Sequence, residues 1–135
     1  MTVRVLAADI DEQSHVNNTV YLRWVQDVAT AHWCAIVSQF RTNHQSPLTD
    51  QLLALRWVVL RHEIDYKAPA NLGDQIVLRT WVGKATRLTF ERFTEIRRQT
   101  GDRLLSQART LWCPINNQTG RPSRVSAEVR KHFST

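Results

Sequence analysis

From residue 18 onward the aromatic and aliphatic side chains recur at Tyr21, Trp24, Val25, Val28, His32, Ala35, Ile36 and Phe40. This three-and-four spacing lines them along one face of an α-helix. Carried to about residue 39, such a helix is ~33 Å long, and in a chain of 135 residues a stripe of that length has to be buried against something broad. The remaining sequence supplies a sheet. Residues 2–8 alternate weakly and suit a short edge strand. Residues 53–67, 75–83, 87–98 and 103–114 are rich in Val, Ile, Leu, Trp, Phe and Thr, which favour strands. Pro69, the Asn71 to Asp74 segment, Gly83-Lys84 and Thr100 to Asp102 punctuate them as turns, which predicts an antiparallel meander. Residues 42–50 read as a loop containing Pro47, covering a tunnel or simply connecting. Val125, Val129 and Phe133 predict a short terminal helix. The expected order is β-α-β-β-β-β-α, an α+β arrangement in which Trp24, Trp33, Trp57, Trp81 and Trp112 fill the helix–sheet interface. Phe90 and Phe93 cannot share one face of a regular strand, so a bulge or a second covered face is expected there.

One domain over 1–135 suffices, since a chain of this size buries roughly two thirds of its unfolded surface. The longest strongly apolar run is the few residues around Trp57 to Leu60, too short for a secretory or spanning segment, so a cytoplasmic protein is expected. Cys34 and Cys113 have neither a C-x-x-C pattern nor a histidine at metal spacing, which argues for reduced, buried thiols and against a disulfide or a metal site. The net charge of +6 is uneven: residues 1–55 carry three Arg against five acidic groups, and residues 56–135 carry fifteen Lys or Arg against seven. That field suits a polyanion such as nucleic acid, a nucleotide-bearing cofactor or an acidic carrier protein. Solvated strand faces explain most of those Arg equally well.

The polar residues gather where the extended pattern gives way to the helix. Residues 9–21 read D-I-D-E-Q-S-H-V-N-N-T-V-Y, two carboxylates, an amide, a hydroxyl and an imidazole ahead of a helix N-terminus with its unpaired N–H groups and its dipole. Asn17 is a suitable N-cap. This is the pattern of an enzyme site.

Asp9-Ile10-Asp11, His15-Val16-Asn17-Asn18, Tyr21 and Trp24, with weaker support from Tyr66-Lys67-Ala68-Pro69-Ala70, Gly73-Asp74 and Thr119-Gly120-Arg121-Pro122, resemble the hotdog-fold acyl thioesterases, in particular the 4-hydroxybenzoyl-CoA and acyl-ACP thioesterase-like branch. The resemblance covers nearly the whole chain. It implies a five-stranded antiparallel sheet wrapped around one long helix, a homodimer or homotetramer with sites at subunit interfaces, and hydrolysis of an acyl-CoA or acyl-ACP thioester. No cofactor is implied beyond the coenzyme A or carrier protein that belongs to the substrate, and no metal. Asp11 is then the catalytic carboxylate, as nucleophile or as general base. Gln13 and His15 stand where an Asn and a His take part in the acyl-ACP branch. Gln13 adds a methylene to that pattern, and Ser14 replaces a glycine that commonly precedes the His.

Thioester cleavage needs an attacking oxygen, which Asp11 can supply, and donors for the developing oxyanion, which the N–H groups around Asn17 and Asn18 can supply. Tyr21 reads as core or tunnel wall. Lys84 and Arg87 would meet the phosphates of coenzyme A, or stand as solvated loop charges. Asp9 is expected to accept backbone N–H groups, and Glu63 to form an interstrand ion pair. His32, His44, His62 and His132 have no ligand spacing and no assigned chemistry. No G-x-S-x-G or phosphate-loop motif is present, which removes serine-hydrolase and P-loop chemistry. A hydratase signature is incomplete, because Ser14 replaces its proline. Nucleic-acid binding rests on a pI near 10.1 alone, and membrane association has no support. The alternative from a different class is a non-catalytic acyl-CoA-binding module.

Overall fold

The structure is a computed structural model that describes residues 1–42, 47–86 and 88–131, without the side chains of 41, 42 and 47–49. The chain forms β1 (Thr2–Arg4), a 3₁₀ turn at Ala7–Asp9, α1 (Asn18–Thr42), α2 (Pro47–Leu53), β2 (Leu55–Tyr66), β3 (Gln75–Ala85), β4 (Phe90–Arg98), a 3₁₀ turn at Thr100–Asp102, β5 (Arg103–Asn116) and α3 (Ala127–Lys131). The strands make one antiparallel sheet in the order β1-β3-β4-β5-β2. This is the hotdog architecture: a five-stranded antiparallel sheet curled around one long helix, with a short helix at the end.

Most of the helical stripe is buried as its spacing predicts, but His32 is half-buried and Ala35 is exposed. Tyr21, Trp24, Val25 and Val28 pack with Ile76, Leu78, Ile96, Leu105 and Ala108 of the sheet. Toward the other end of α1, Ile36 and Phe40 join Leu52, Phe90, Val125 and Val129 in a second cluster. Each fully buried aliphatic or aromatic side chain contributes about 1.5–3 kcal/mol of transfer free energy, so α1 is held chiefly by this face. Both edges of the sheet differ in length: β1 is 3 residues and β2 is 12.

Several expectations are corrected. The stretch read as a loop over 42–50 is helical at both ends: α1 runs to Thr42 and α2 begins at Pro47, while residues 43–46, with His44, lie outside the described residues. Pro47 is the first residue of α2, a place where its missing N–H costs nothing. The first strand stops at Arg4 and gives way to the 3₁₀ turn before Asp9. Trp81 does not fill the interface. It faces away from α1, 40 % exposed, and stacks on Phe93 with ring centroids 5.9 Å apart. Phe90 is buried and Phe93 points outward, so the two lie on opposite faces, with a register shift on the neighbouring strand between Val82 and Ala85. Cys34 is exposed, Cys113 is buried, and both are free thiols. Val125 and Val129 are buried under the terminal helix, whereas Phe133 and His132 lie outside the described residues. Glu63 meets Arg61 at 2.8 Å and, across the strands, Arg109 at 3.8 Å.

Candidate active site

The polar segment ahead of α1 is shaped by the two carboxylates of D-x-D, which do different work. Asp9 is 3 % exposed. Its Oδ2 accepts the N–H of Leu6 at 2.9 Å, its Oδ1 accepts from Arg23 at 2.9 Å, and its carbonyl accepts the Asn17 N–H at 2.9 Å. It is a structural anchor, as expected, and Arg23, one turn into α1, is a partner that the sequence reading did not name. Ile10 and Val16 form an antiparallel bridge, closed by the Asp11 N–H donating to His15 O at 2.9 Å. The result is a small loop over residues 11–15 standing out from the helix entrance.

Asp11 sits at the base of that loop. Its Oδ1 accepts the N–H of Gln13 at 2.8 Å and, more weakly, that of His15 at 3.4 Å. Its Oδ2 accepts from no group among the described residues. One oxygen therefore fixes the carboxylate and the other is open. The loop turns at Ser14, whose φ is 65°. This left-handed conformation costs an L-residue roughly 1–2 kcal/mol, so the backbone path that glycine normally provides is kept here with a serine.

Asn17 caps α1 as predicted: its Oδ1 accepts the N–H of Thr19 at 3.0 Å and the Thr19 hydroxyl at 2.9 Å. The cap narrows the expected set of oxyanion donors. The Asn17 N–H is bonded to Asp9 and the Thr19 N–H to the cap, which leaves the Asn18 N–H as the donor at the helix entrance with no acceptor among the described residues. Anions are favoured at such a terminus.

Opposite this entrance, residues 66–69 close an open cleft of about 450 Å³. Asp11, Gln13, His15, Asn17, Asn18 and Tyr21 all line it, facing Tyr66 and Lys67. The Tyr66 hydroxyl donates to Asn18 O at 3.2 Å, and its ring meets Tyr21 edge-on at 5.3 Å. Tyr21 is 2 % exposed, and burial raises its phenol pKa. The hydroxyl accepts the Ala70 N–H at 2.9 Å, while Ala70 O accepts from Val16 at 3.1 Å. Tyr66 and Lys67 were not assigned to the site from sequence, although the Y-K-A-P string that carries them was visible. Lys84 is not brought to this cleft within the chain: it stands exposed near the far end of β3, its N–H donating to Glu91 at 3.1 Å. Arg87 lies outside the described residues. No group of three or more His, Cys, Asp or Glu among the described residues is placed to hold a metal ion.

Residues 5–133 match the sequence profile of the thioesterase-like superfamily. The chain belongs to that superfamily. Among solved structures, the thioesterase-like chain is similar to a 1,4-dihydroxy-2-naphthoyl-CoA thioesterase from Synechocystis, at 18 % identity and a TM-score of 0.77, covering 98 % of this chain and 93 % of that one. It is similar to the probable thioesterase YbaW from Escherichia coli at 19 % identity and a TM-score of 0.77, with coverages of 98 % and 93 %. It also resembles a hypothetical protein from Staphylococcus aureus in complex with CoA, at 17 % identity and a TM-score of 0.80, covering 98 % of this chain and 78 % of that one. These identities speak to the fold alone. Among curated protein sequences there is no significant match. No helix among the described residues is long and apolar enough to cross a membrane.

Proposed function

We propose that this member of the thioesterase-like superfamily hydrolyses an acyl thioester, acyl-CoA or acyl-ACP, to the free acid and thiol, with Asp11 as the reacting carboxylate. The observation that carries the reading is the division of labour within that carboxylate, which lines the cleft: Oδ1 is held by the Gln13 and His15 N–H groups while Oδ2 accepts from no group among the described residues. The Asn18 N–H, at the positive end of α1, is the donor offered to the thioester oxygen. Acting as nucleophile, Oδ2 adds to the carbonyl carbon, the thiolate leaves, and water then cleaves the mixed anhydride. Acting as base, it takes a proton from water that adds to the carbon, and collapse of the tetrahedral species expels the thiolate. Gln13 and His15 are assigned to orienting water or the carbonyl. Lys67 on the opposite wall is the cation offered to the anionic part of a coenzyme A or carrier thiol, and the CoA complex of the similar Staphylococcus aureus protein supports a CoA thioester as the substrate. No further cofactor is called for.

The working unit is proposed to be a homodimer or a dimer of dimers. β1 is too short an edge to pair with, whereas β2 offers twelve residues with Val58, Leu60 and Tyr66 exposed. A long unblocked edge strand is a template for a second chain.

Release of free thiol from a panel of aliphatic and aromatic acyl-CoA esters tests the reading. The wild type should turn over at least one class, and Asp11→Ala should lower kcat/KM about 100-fold or more with the thermal transition retained. Undiminished turnover by Asp11→Ala would sink the assignment. Tight calorimetric binding of acyl-CoA with no turnover would instead favour the binding-module reading, which the lengthened amide at Gln13 motivates. Single turnover in ¹⁸O-water, followed by mass analysis of the Asp11 peptide, separates nucleophile from base.

A further inference from the structure

A row of polar side chains crosses the sheet beneath the middle of α1, between the two apolar clusters. His62 on β2, Thr110 on β5 and Arg92 on β4 stand in register, flanked by Thr80 and Thr94, which pair with each other. Thr110 is 0 % and Arg92 6 % exposed. Arg92 donates to the Thr80 hydroxyl at 3.1 Å and lies 3.0 Å from Nδ1 of His32. Among the described residues no carboxylate stands within ion-pair distance of it. Burial lowers its pKa to about 10, which leaves it a cation at neutral pH. Burial and the Arg92 charge lower the pKa of His32, so this neighbour is neutral and offers a lone pair but no counter-charge. A buried cation without an anion is costly unless an anion completes it.

Arg92 forms part of the wall of a cavity of about 290 Å³, whose lining includes the rings of Trp33, Trp57, Phe90 and Trp112 and a second, exposed cation, Arg56, with Thr30 at its exposed rim. The indole N–H of Trp112 is buried with no acceptor among the described residues. An apolar cavity of roughly 150 Å³ takes a benzene molecule, so this one has room for one or two fused rings. Aromatic walls fit a planar guest face or edge, and a guanidinium with a second N–H donor fits a carboxylate.

We propose that this cavity binds the acyl group of the substrate and selects a planar aryl acyl group carrying a carboxylate at the end remote from the thioester, with Arg92 as its counter-ion and the Trp112 N–H as a second donor. The inference rests on thioester hydrolysis at Asp11 and on pairing through β2. Thr30 is twelve residues beyond Asn18, ~18 Å along the helix, and Trp24, Val25 and Val28 are packed between, so a chain's own cleft does not reach its own cavity. A two-fold axis through the middle of β2 sets the Leu55 to Trp57 end of one strand against the partner's Tyr66. The cleft of one subunit then opens toward the aromatic cavity of the other.

Calorimetric titration with naphthalene-2-carboxylate tests the site directly. The wild type should bind it at least about tenfold more tightly than the neutral 2-naphthamide, the discrimination expected of a charge-assisted pair, and Arg92→Met should abolish that difference. In the kinetic arm, kcat/KM for 4-carboxybenzoyl-CoA should exceed that for benzoyl-CoA by about tenfold in the wild type, and the two should be about equal in Arg92→Met. Should Arg92→Met not fold, Thr30→Phe at the exposed rim should weaken naphthalene-2-carboxylate binding by at least about tenfold through filling the cavity. An amide that binds as well as the acid, or an unchanged substrate ratio in Arg92→Met, overturns the proposal. Arg92-dependent binding of the acid without hydrolysis of any thioester upholds the anion site and sinks the hydrolysis reading. Asp11-dependent turnover with no preference for the carboxylated substrate does the reverse.

Discussion

The Tyr21 hydroxyl accepts the N–H of Ala70 at 2.9 Å across a sequence separation of 49, and this bond ties the first turn of α1 to the opposite wall of the cleft. Ala70 is 0 % exposed, so its N–H has no water to turn to. Tyr21→Phe keeps the ring contacts with Trp24 and Tyr66 and removes only the acceptor. It should cost about 1–3 kcal/mol of stability, the penalty for an orphaned buried donor, measured by urea unfolding. Because residues 66–69 then lose one of the ties that hold them against the helix entrance, kcat/KM should fall more than the loss of stability alone requires at temperatures where the variant is folded.

Ser14→Gly should do the opposite. At φ 65° a serine carries a penalty that glycine does not, and part of the gain is lost to glycine's greater freedom in the unfolded chain. A net stabilisation of about 0.5–1 kcal/mol is expected, seen as a raised Tm with thiol release unchanged. A lower Tm would show that the serine hydroxyl supports the loop.

Asp9 and Asp11 should separate cleanly under mutation. Asp9→Ala removes the acceptor of Leu6 and the partner of Arg23 in a buried place and should destabilise by about 2–3 kcal/mol. Arg23→Ala should cost about 1 kcal/mol or less, since that side chain is 55 % exposed and screened by solvent. Asp11→Ala should leave Tm nearly unchanged while removing activity. Denaturation midpoints and thiol-release rates on the same preparations check the pair.

How much of this could be read from residues alone follows from what each residue answers to. The start of α1 and the existence of all five strands were legible because apolar periodicity records burial on a single face. The Asn17 cap and the Asp9 anchor were legible because their partners are backbone groups a few residues away. Tyr66, Lys67 and Arg23 were not assigned, since their roles come from contacts between distant segments. The α2 segment was misread because Pro47 and Asp50 are turn formers that serve equally well in a helix's first turn. His32 and His62 were dismissed for want of ligand spacing. Their significance lies across strands, in the row with Thr110 and Arg92, where sequence separation carries no signal.

That row predicts a pH dependence. His62 bonds through Nδ1 to Thr110 at 3.0 Å, its Nε2 is buried without a partner among the described residues, and burial lowers its pKa from the ordinary 6.5. The unfolded chain therefore takes up a proton below about pH 6.5 before the native chain does, and stability falls with pH from there down to the depressed pKa. His32 acts in the same direction. Unfolding free energies between pH 7.5 and 5 should decline, and His62→Gln should flatten that decline. An equally steep profile in the variant would remove His62 as a contributor.

The polar row also divides α1 into two stretches with separate obligations. The stretch from Asn18 to Val28 serves the carboxylate and its helix entrance, and the stretch from Trp33 to Phe40 packs with the second cluster. On the proposed reading, exchanging residues in the latter should alter which acyl groups the protein accepts while the end that carries Asp11 stays intact, so selectivity could drift through that half of the helix without a cost in turnover.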